Sequence, residues 1–202
     1  FVPHLSTVHA NRGQTVGLHL REKVQAPAPA HQGSTGKPVV LFVHGGFAPA
    51  VVAYDLAYGD YSFMAALANA GLDVFAMTHT GYGASPKPMM DDPRNVVPAM
   101  QTALVPQALD QPGAPRYPYK LLTSDSEWNE IDTVVRYIRE LRGVDRVSLI
   151  GWSIGAPRVG GYAAHHPALV DRLVFLGPAP FSDDDARPAV LPEPGAPTRL
   201  QS

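Results

Sequence analysis

One stretch, Val147 to Pro157, constrains this chain more than any other; it reads VSLIGWSIGAP. An apolar run rich in β-branched residues ends in Gly151-Trp152-Ser153-Ile154-Gly155 and passes into residues that suit a helix, so strand, sharp turn and helix follow in order. That is the context of a nucleophile elbow. A serine at such a turn is held in a strained backbone conformation, and the neighbouring segments approach so closely that Gly151 and Gly155 cannot easily carry side chains. The Ser153 hydroxyl is thereby pushed out above the sheet. Ile154 would begin the helix, so its N–H points at the same spot with the positive helix end behind it, suited to stabilising an oxyanion. The five letters alone occur by chance in many proteins; the flanking strand and helix give them their weight.

A chain of 202 residues can bury one sizeable core, and 45% apolar with 17% charged residues is ordinary globular composition. The formal charge of −2, without a long run of one sign, argues against nucleic acid or an anionic membrane as the main partner. There is no cysteine, which rules out disulfide frameworks and thiolate metal sites. No stretch approaches the roughly 20 apolar residues of a membrane-spanning helix.

Along the chain, STVHA and TVGLHLREKV within residues 6 to 24 predict an antiparallel hairpin at a sheet edge. A Pro/Gly/Ser-rich loop is expected from Ala26 to Lys37. Pro38 to Val43 is a continuous apolar run, as in a strand buried on both faces. A short helix is predicted over Tyr61 to Ala70, and a strand over Leu72 to Met77. Gly81 to Tyr119 holds eight prolines and little periodicity, a long irregular excursion. Ser126 is the expected N-cap of a helix whose Trp128, Ile131, Val134, Val135, Ile138 and Leu141 recur at helical spacing until Gly143. After the elbow, a helix to about His166 and a strand over Arg172 to Leu176 complete an alternation that specifies an α/β fold with a mostly parallel sheet, helices covering both faces.

Three motifs stand in order at strand ends: His44-Gly45-Gly46-Phe47 after the third strand, GYGASP from Gly81 after the fourth, and GWSIG after the fifth. On these the chain resembles the α/β-hydrolase superfamily over about residues 6 to 180, its N-terminal part only. The resemblance implies that Ser153 is the nucleophile, and that the oxyanion hole is built from the amide of Ile154 and that of Gly46 or Phe47. It implies that His44 braces the loop and that no metal or organic cofactor is needed. The implied reaction is hydrolysis of an ester, thioester or lactone through an acyl-enzyme, with acyl transfer open to the same fold. A β-branched residue at Gly46 is expected to displace its amide. Phe47, Tyr54, Trp152 and His79 are expected around a pocket for an apolar acyl or alcohol group of a small-molecule substrate; Trp152 could equally pack beneath the elbow.

In this family the order is serine, acid, histidine, yet no histidine follows His166 here. His165 and His166 end the helix after the elbow and read as surface residues. His4, His9 and His19 fall in the hairpin and His31 in a loop, while His79 precedes the serine and has no evident partner acid. Asp183, Asp184 and Asp185 directly follow the sixth strand; one could be the acid, although three in a row also suit a solvated turn. The expected organisation is therefore a six-stranded core over 1–180 and a Pro-rich linker over 181–202 leading towards a lid. The acid and base are expected on a C-terminal remainder or second polypeptide that completes the sheet. The competing reading is a non-catalytic binding or regulatory protein that keeps a relic fold, against which stand the intact glycines of both motifs.

Overall fold

Two apolar runs form the centre of the molecule. In the computed structural model, which describes residues 1–25, 37–104 and 106–179, β3 (Val39–Val43) and β4 (Asp73–Thr78) are buried at every position, as strands covered on both faces must be. They pair in parallel, Val40 beside Val74 and Phe42 beside Ala76. β5 (Val147–Trp152) lies parallel on the other side of β3, and β6 (Val170–Leu176) is parallel to β5. At the opposite end, β1 (Val2–Leu5) and β2 (Thr15–Lys23) form a hairpin that joins β4 antiparallel. The order is β1-β2-β4-β3-β5-β6, six strands, mostly parallel. His31, Asp183 to Asp185, the loop expected from Ala26 and the linker expected over 181–202 lie outside the described residues.

The hairpin begins earlier than expected. Its first strand is Val2–Leu5, and residues 6–14 form the connection, where Ser6 N–H donates to Gln14 O (2.9 Å) and Ser6 Oγ to Asn11 Oδ1 (2.7 Å). Ser and Asn side chains bonding within their own turn compete with a ladder, so STVHA is turn and not strand.

Side chains alternate across the sheet. Leu41, Val43, Phe75, Met77 and Leu149 face α4 (Ser124–Arg142) and α5 (Gly155–His165), whose Ile131, Val134, Val135, Ile138, Val159 and Tyr162 are fully buried. Each such aliphatic contributes about 1.5–3 kcal/mol relative to exposure, far more than helix propensity supplies per residue. Val40, Phe42, Val74 and Ala76 face α1 (Ala50–Tyr54) and α2 (Phe63–Asn69), which bury Tyr54, Met64 and Ala68. α4 starts two residues before the expected cap: Thr123 is the N-cap, and Ser126 completes the reciprocal pair, its Oγ accepting from Thr123 N–H (3.0 Å). Gly143 ends the helix in the left-handed conformation, φ 59°.

The described part of the excursion after Gly81 contains a 3-10 turn at Pro93–Asn95 and a short α-helix, α3 (Pro98–Gln101). Gln101 is fully buried; its Oε1 accepts from Gly113 N–H (2.8 Å), and its Nε2 lies 2.9–3.1 Å from the carbonyls of Arg94, Val96 and Gly113. One amide thus stitches both limbs of a loop that has no periodicity of its own.

Asp55, buried at the end of α1, accepts from Arg21 Nε (2.9 Å), Lys23 Nζ and Ser62 Oγ (2.6 Å). Burial alone would raise its pKa, but hydrogen bonds from Lys23, Ser62 and Arg21 bring it from 3.8 down to about 2. A depressed carboxyl stabilises the fold above its unfolded pKa, and that contribution is lost as pH falls from 3.8 towards about 2. Denaturant titration across this window should show stability dropping, and Asp55→Asn should remove this part of the slope.

β6 is the edge of the described sheet. α5 packs on one of its faces, whereas α1 and α2 pack on β2, β3 and β4. Leu173 and Val174, neighbours pointing to opposite faces, remain 40% and 44% exposed.

Candidate active site

Among the described residues three non-glycines have positive φ, and two of them, Phe47 (67°) and Ser153 (54°), stand just beyond the ends of the adjacent strands β3 and β5. Such a conformation costs about 1–3 kcal/mol and persists only where its surroundings impose it. At Ser153 they do. Its N–H donates to Leu176 O (3.0 Å), and its carbonyl accepts from the N–H groups of Ala156 and Ala179 (both 3.0 Å). A Cβ at Gly151 would sit 2.4 Å from Gly155 O, and one at Gly155 would sit 2.4 Å from Val43 O. α5 is therefore seated directly on the ends of β3 and β5, the close approach expected from the two glycines. Ile154 is the N-cap of α5, and its amide has no backbone acceptor among the described residues.

The loop after β3 touches this corner. A Cβ at Gly45 would lie 3.0 Å from both Ser153 Cβ and Trp152 O, whereas one at Gly46 would meet nothing within 4 Å. The crowding in this loop is thus at Gly45 and not at Gly46, because Gly45 faces the elbow while Gly46 opens a tight turn directed outward. In that turn Ala48 N–H donates to Gly46 O (2.9 Å) across Phe47, the strained positive-φ form of a γ-turn, and the Phe47 ring is fully exposed. Gly45→Ala should press on Ser153 and cost about 1–3 kcal/mol, a drop of roughly 2–10 °C in Tm. Gly46→Ala should leave Tm nearly unchanged, and equal shifts in thermal unfolding would contradict this assignment.

His44 is fully buried. Its Nδ1 donates to Gly45 O (2.7 Å), and its Nε2 accepts His79 N–H (3.1 Å), which settles the tautomer. Burial, with the charges of His79 and Arg158, pushes the ring down to about 3, so it is neutral at ordinary pH. Its carbonyl accepts from Arg158 Nη1 (3.0 Å), and Arg158 in turn is paired with Glu127 on α4 (2.6 Å).

His79 corrects the sequence reading. It lines neither of the two pockets described below: it is fully buried, and its Nδ1 donates to Glu130 Oε2 (2.7 Å). Glu130, also fully buried, accepts Thr80 N–H as well (3.2 Å). Burial would raise its pKa, but the bonds from His79 and Thr80 and the charge of His79 outweigh that and hold the carboxyl below its ordinary value. The apparent lack of a partner acid was only a lack of sequence proximity.

Beside the elbow, Ala53, Tyr54, Phe63, Trp152, Leu176 and Gly177 line an apolar pocket of about 320 Å³. Trp152 thus lines the pocket. Tyr54 spends its hydroxyl on Val43 O (2.8 Å) and shows the pocket only its ring. A larger, polar cleft of about 410 Å³ lies between Asp125 and Asp132 on α4 and His165 and His166 at the far end of α5, about 15 Å along the helix from the elbow. No cluster of three or more metal-ligating side chains occurs among the described residues, and none of the described helices is long and apolar enough to cross a membrane.

A family model described as the alpha/beta hydrolase fold matches residues 38–196. The chain belongs to this family. Among solved structures, this α/β-hydrolase chain is similar to a probable hydrolytic enzyme from Pseudomonas aeruginosa (TM-score 0.52, 20% identity, covering 82% of this chain and 38% of that one). It is also similar to a bromoperoxidase from Bacillus anthracis (0.50, 13%, covering 85% and 43%) and to an esterase from Exiguobacterium antarcticum (0.50, 14%, covering 88% and 45%). At these identities the likeness is one of fold, and the chain spans less than half the length of each. No curated protein sequence matches.

Within this α/β-hydrolase chain the structure brings Ser153, Ile154, Gly45 and Trp152 into one corner, with Gly46 and Phe47 on the adjoining loop. Among the described residues no histidine is hydrogen-bonded to Ser153. His4 bonds Thr133 Oγ1 (2.8 Å), His9 lies against Tyr117 and Tyr119, His19 is in β2, and His165 and His166 pack on Trp128 and Tyr162. The sequence reading missed Glu127, Glu130 and Arg158. One signal was available for Glu130: it precedes Ile131 on the stripe that spacing assigns to the core, where a carboxylate needs a partner.

Proposed function

We propose that this chain carries the nucleophile and oxyanion donors of a serine hydrolase that cleaves an ester, thioester or lactone through an acyl-enzyme. The observation that carries the reading is Ser153 at φ 54°, held at the apex between β5 and α5 by three backbone hydrogen bonds. A strained serine whose hydroxyl stands at a strand end, beside a helix N-terminal amide with no backbone acceptor among the described residues, suits attack on a carbonyl and stabilisation of the resulting oxyanion. Ser153 Oγ attacks the acyl carbon and gives its proton to a histidine base. The amides of Ile154 and of Gly46 or Phe47 hold the tetrahedral oxyanion; its collapse breaks the bond to the alcohol or thiol, which leaves with the proton held by the histidine, and water then attacks the acyl-enzyme and releases the acid and Ser153. With another acceptor the same intermediate gives acyl transfer. The pocket containing Tyr54 and Trp152 receives an apolar acyl or alcohol group.

Histidine and acid come, in this proposal, from a C-terminal remainder or second chain; Asp183 or Asp184 is the alternative acid, carried by this chain itself. That β6 is the edge of the described sheet, with Leu173 and Val174 exposed, supports this, since a parallel sheet is ordinarily covered on both faces and protected at its edge. Further strands there would complete the sheet. The second reading, a non-catalytic binding protein, draws on the absence of any histidine bonded to Ser153 among the described residues. A fluorophosphonate and a small activated ester, applied to the 202 residues with and without such a remainder, separate the readings. Phosphonylation at Ser153 and ester turnover only in the completed protein support the proposal. A completed protein inert to both overturns the hydrolase reading, and activity of the 202 residues alone as a folded monomer overturns the need for a partner.

A further inference from the structure

We infer that Glu130, buried in α4 and remote in sequence from the elbow, is a positioning residue for the oxyanion loop, acting through His79 and His44. The loop's catalytic use rests on the hydrolase reading; its mechanical hold rests on the following geometry.

Glu130 Oε2 receives two donors from the exit of β4, the ring Nδ1–H of His79 (2.7 Å) and the N–H of Thr80 (3.2 Å). That fixes the backbone at residues 79–80 and so aims His79 N–H at His44 Nε2 (3.1 Å). With Nε2 accepting, His44 must carry its proton on Nδ1, and that proton lies on Gly45 O (2.7 Å). The Gly45 carbonyl and the Gly46 N–H belong to one planar trans peptide, so pinning the oxygen on His44 turns the N–H of Gly46 the opposite way. The next peptide is pinned likewise, because Gly46 O takes Ala48 N–H (2.9 Å) and thereby orients Phe47 N–H. Glu127, three residues before Glu130 and on the same side of α4, holds Arg158, which bonds the His44 carbonyl (3.0 Å). α4 therefore grips His44 at ring and carbonyl, and Gly45 rests against Ser153. A buried carboxylate with two donors is costly to retain for packing alone; orienting two peptide planes gives it a task.

The test uses the full chain labelled with nitrogen-15. In the wild type, long-range proton–nitrogen spectra should show His44 protonated at Nδ1; protonation at Nε2 overturns the inference, whatever the variants do. Glu130→Leu removes the acceptor of both bonds, and hydrogen exchange at the Gly46 and Phe47 amides should accelerate about tenfold while the amides of α2, across the sheet, stay as they were. The His44 signals should also lose their single tautomer. Glu130→Gln keeps an acceptor oxygen and should restore both. Exchange that rises equally in α2, or that stays unchanged at Gly46, makes Glu130 a packing residue and overturns the inference. If Glu130→Leu does not fold, the wild-type tautomer decides. None of these readouts needs turnover, so an unreactive Ser153 would overturn the hydrolase reading and leave this result standing.

Discussion

Ser153→Ala should lower ester turnover of the completed protein by about 10³-fold or more without unfolding it, because nucleophile and base act as a unit whose residual activity is that of binding and the oxyanion hole alone. The fold should survive for a specific reason. What holds the elbow is backbone: Ser153 N–H on Leu176 O, and Ser153 O on Ala156 and Ala179 N–H. Alanine keeps all three, and it keeps the Cβ of Ser153 against which Gly45, lacking a side chain, is placed. Loss of activity together with an unchanged unfolding midpoint is the expected pair of results. A variant retaining more than about a tenth of the rate would rule Ser153 out, since a tenfold change is only about 1.4 kcal/mol of barrier.

The opposite pair is expected at Gly155. A Cβ there would stand 2.4 Å from Val43 O and 2.8 Å from His44 O. Both are backbone atoms, and the bonds of His44 and Arg158 tie that segment down. The added methyl can be accommodated only by lifting α5 off the sheet, which uncovers Val159 and Tyr162. Gly155→Ala should therefore exceed the usual 1–3 kcal/mol of overpacking and reach about 4 kcal/mol, a large part of a net stability of about 5–15 kcal/mol. Gly46→Ala, facing open space, is the matched control. Chemical denaturation giving the two variants the same midpoint would show that α5 does not sit on the end of β3.

The chain itself determined a good deal. The apolar runs of β3 and β4, the inner stripe of α4 and its Gly143 stop, and the strand–turn–helix at Ser153 are local patterns, and each lies in the structure close to where its spacing put it. Burial on both faces and the alternation of strands with helices lead to a mostly parallel sheet, and the three glycine-bearing motifs in order lead to the family. These features are legible because period, capping and glycine's missing Cβ act within a few residues of where they are read. Tertiary structure decided the rest. That Gly45 and not Gly46 meets Ser153 depends on how β3 and β5 lie side by side, and that Phe47 centres a strained turn depends on the loop being held at both ends. Glu130 finds His79 at a separation of 51 residues, and Arg158 finds the His44 carbonyl at 114. Hydrogen bonds over such distances leave no periodic trace in the chain, because partner and direction exist only once the sheet has brought the strand ends together beneath α4.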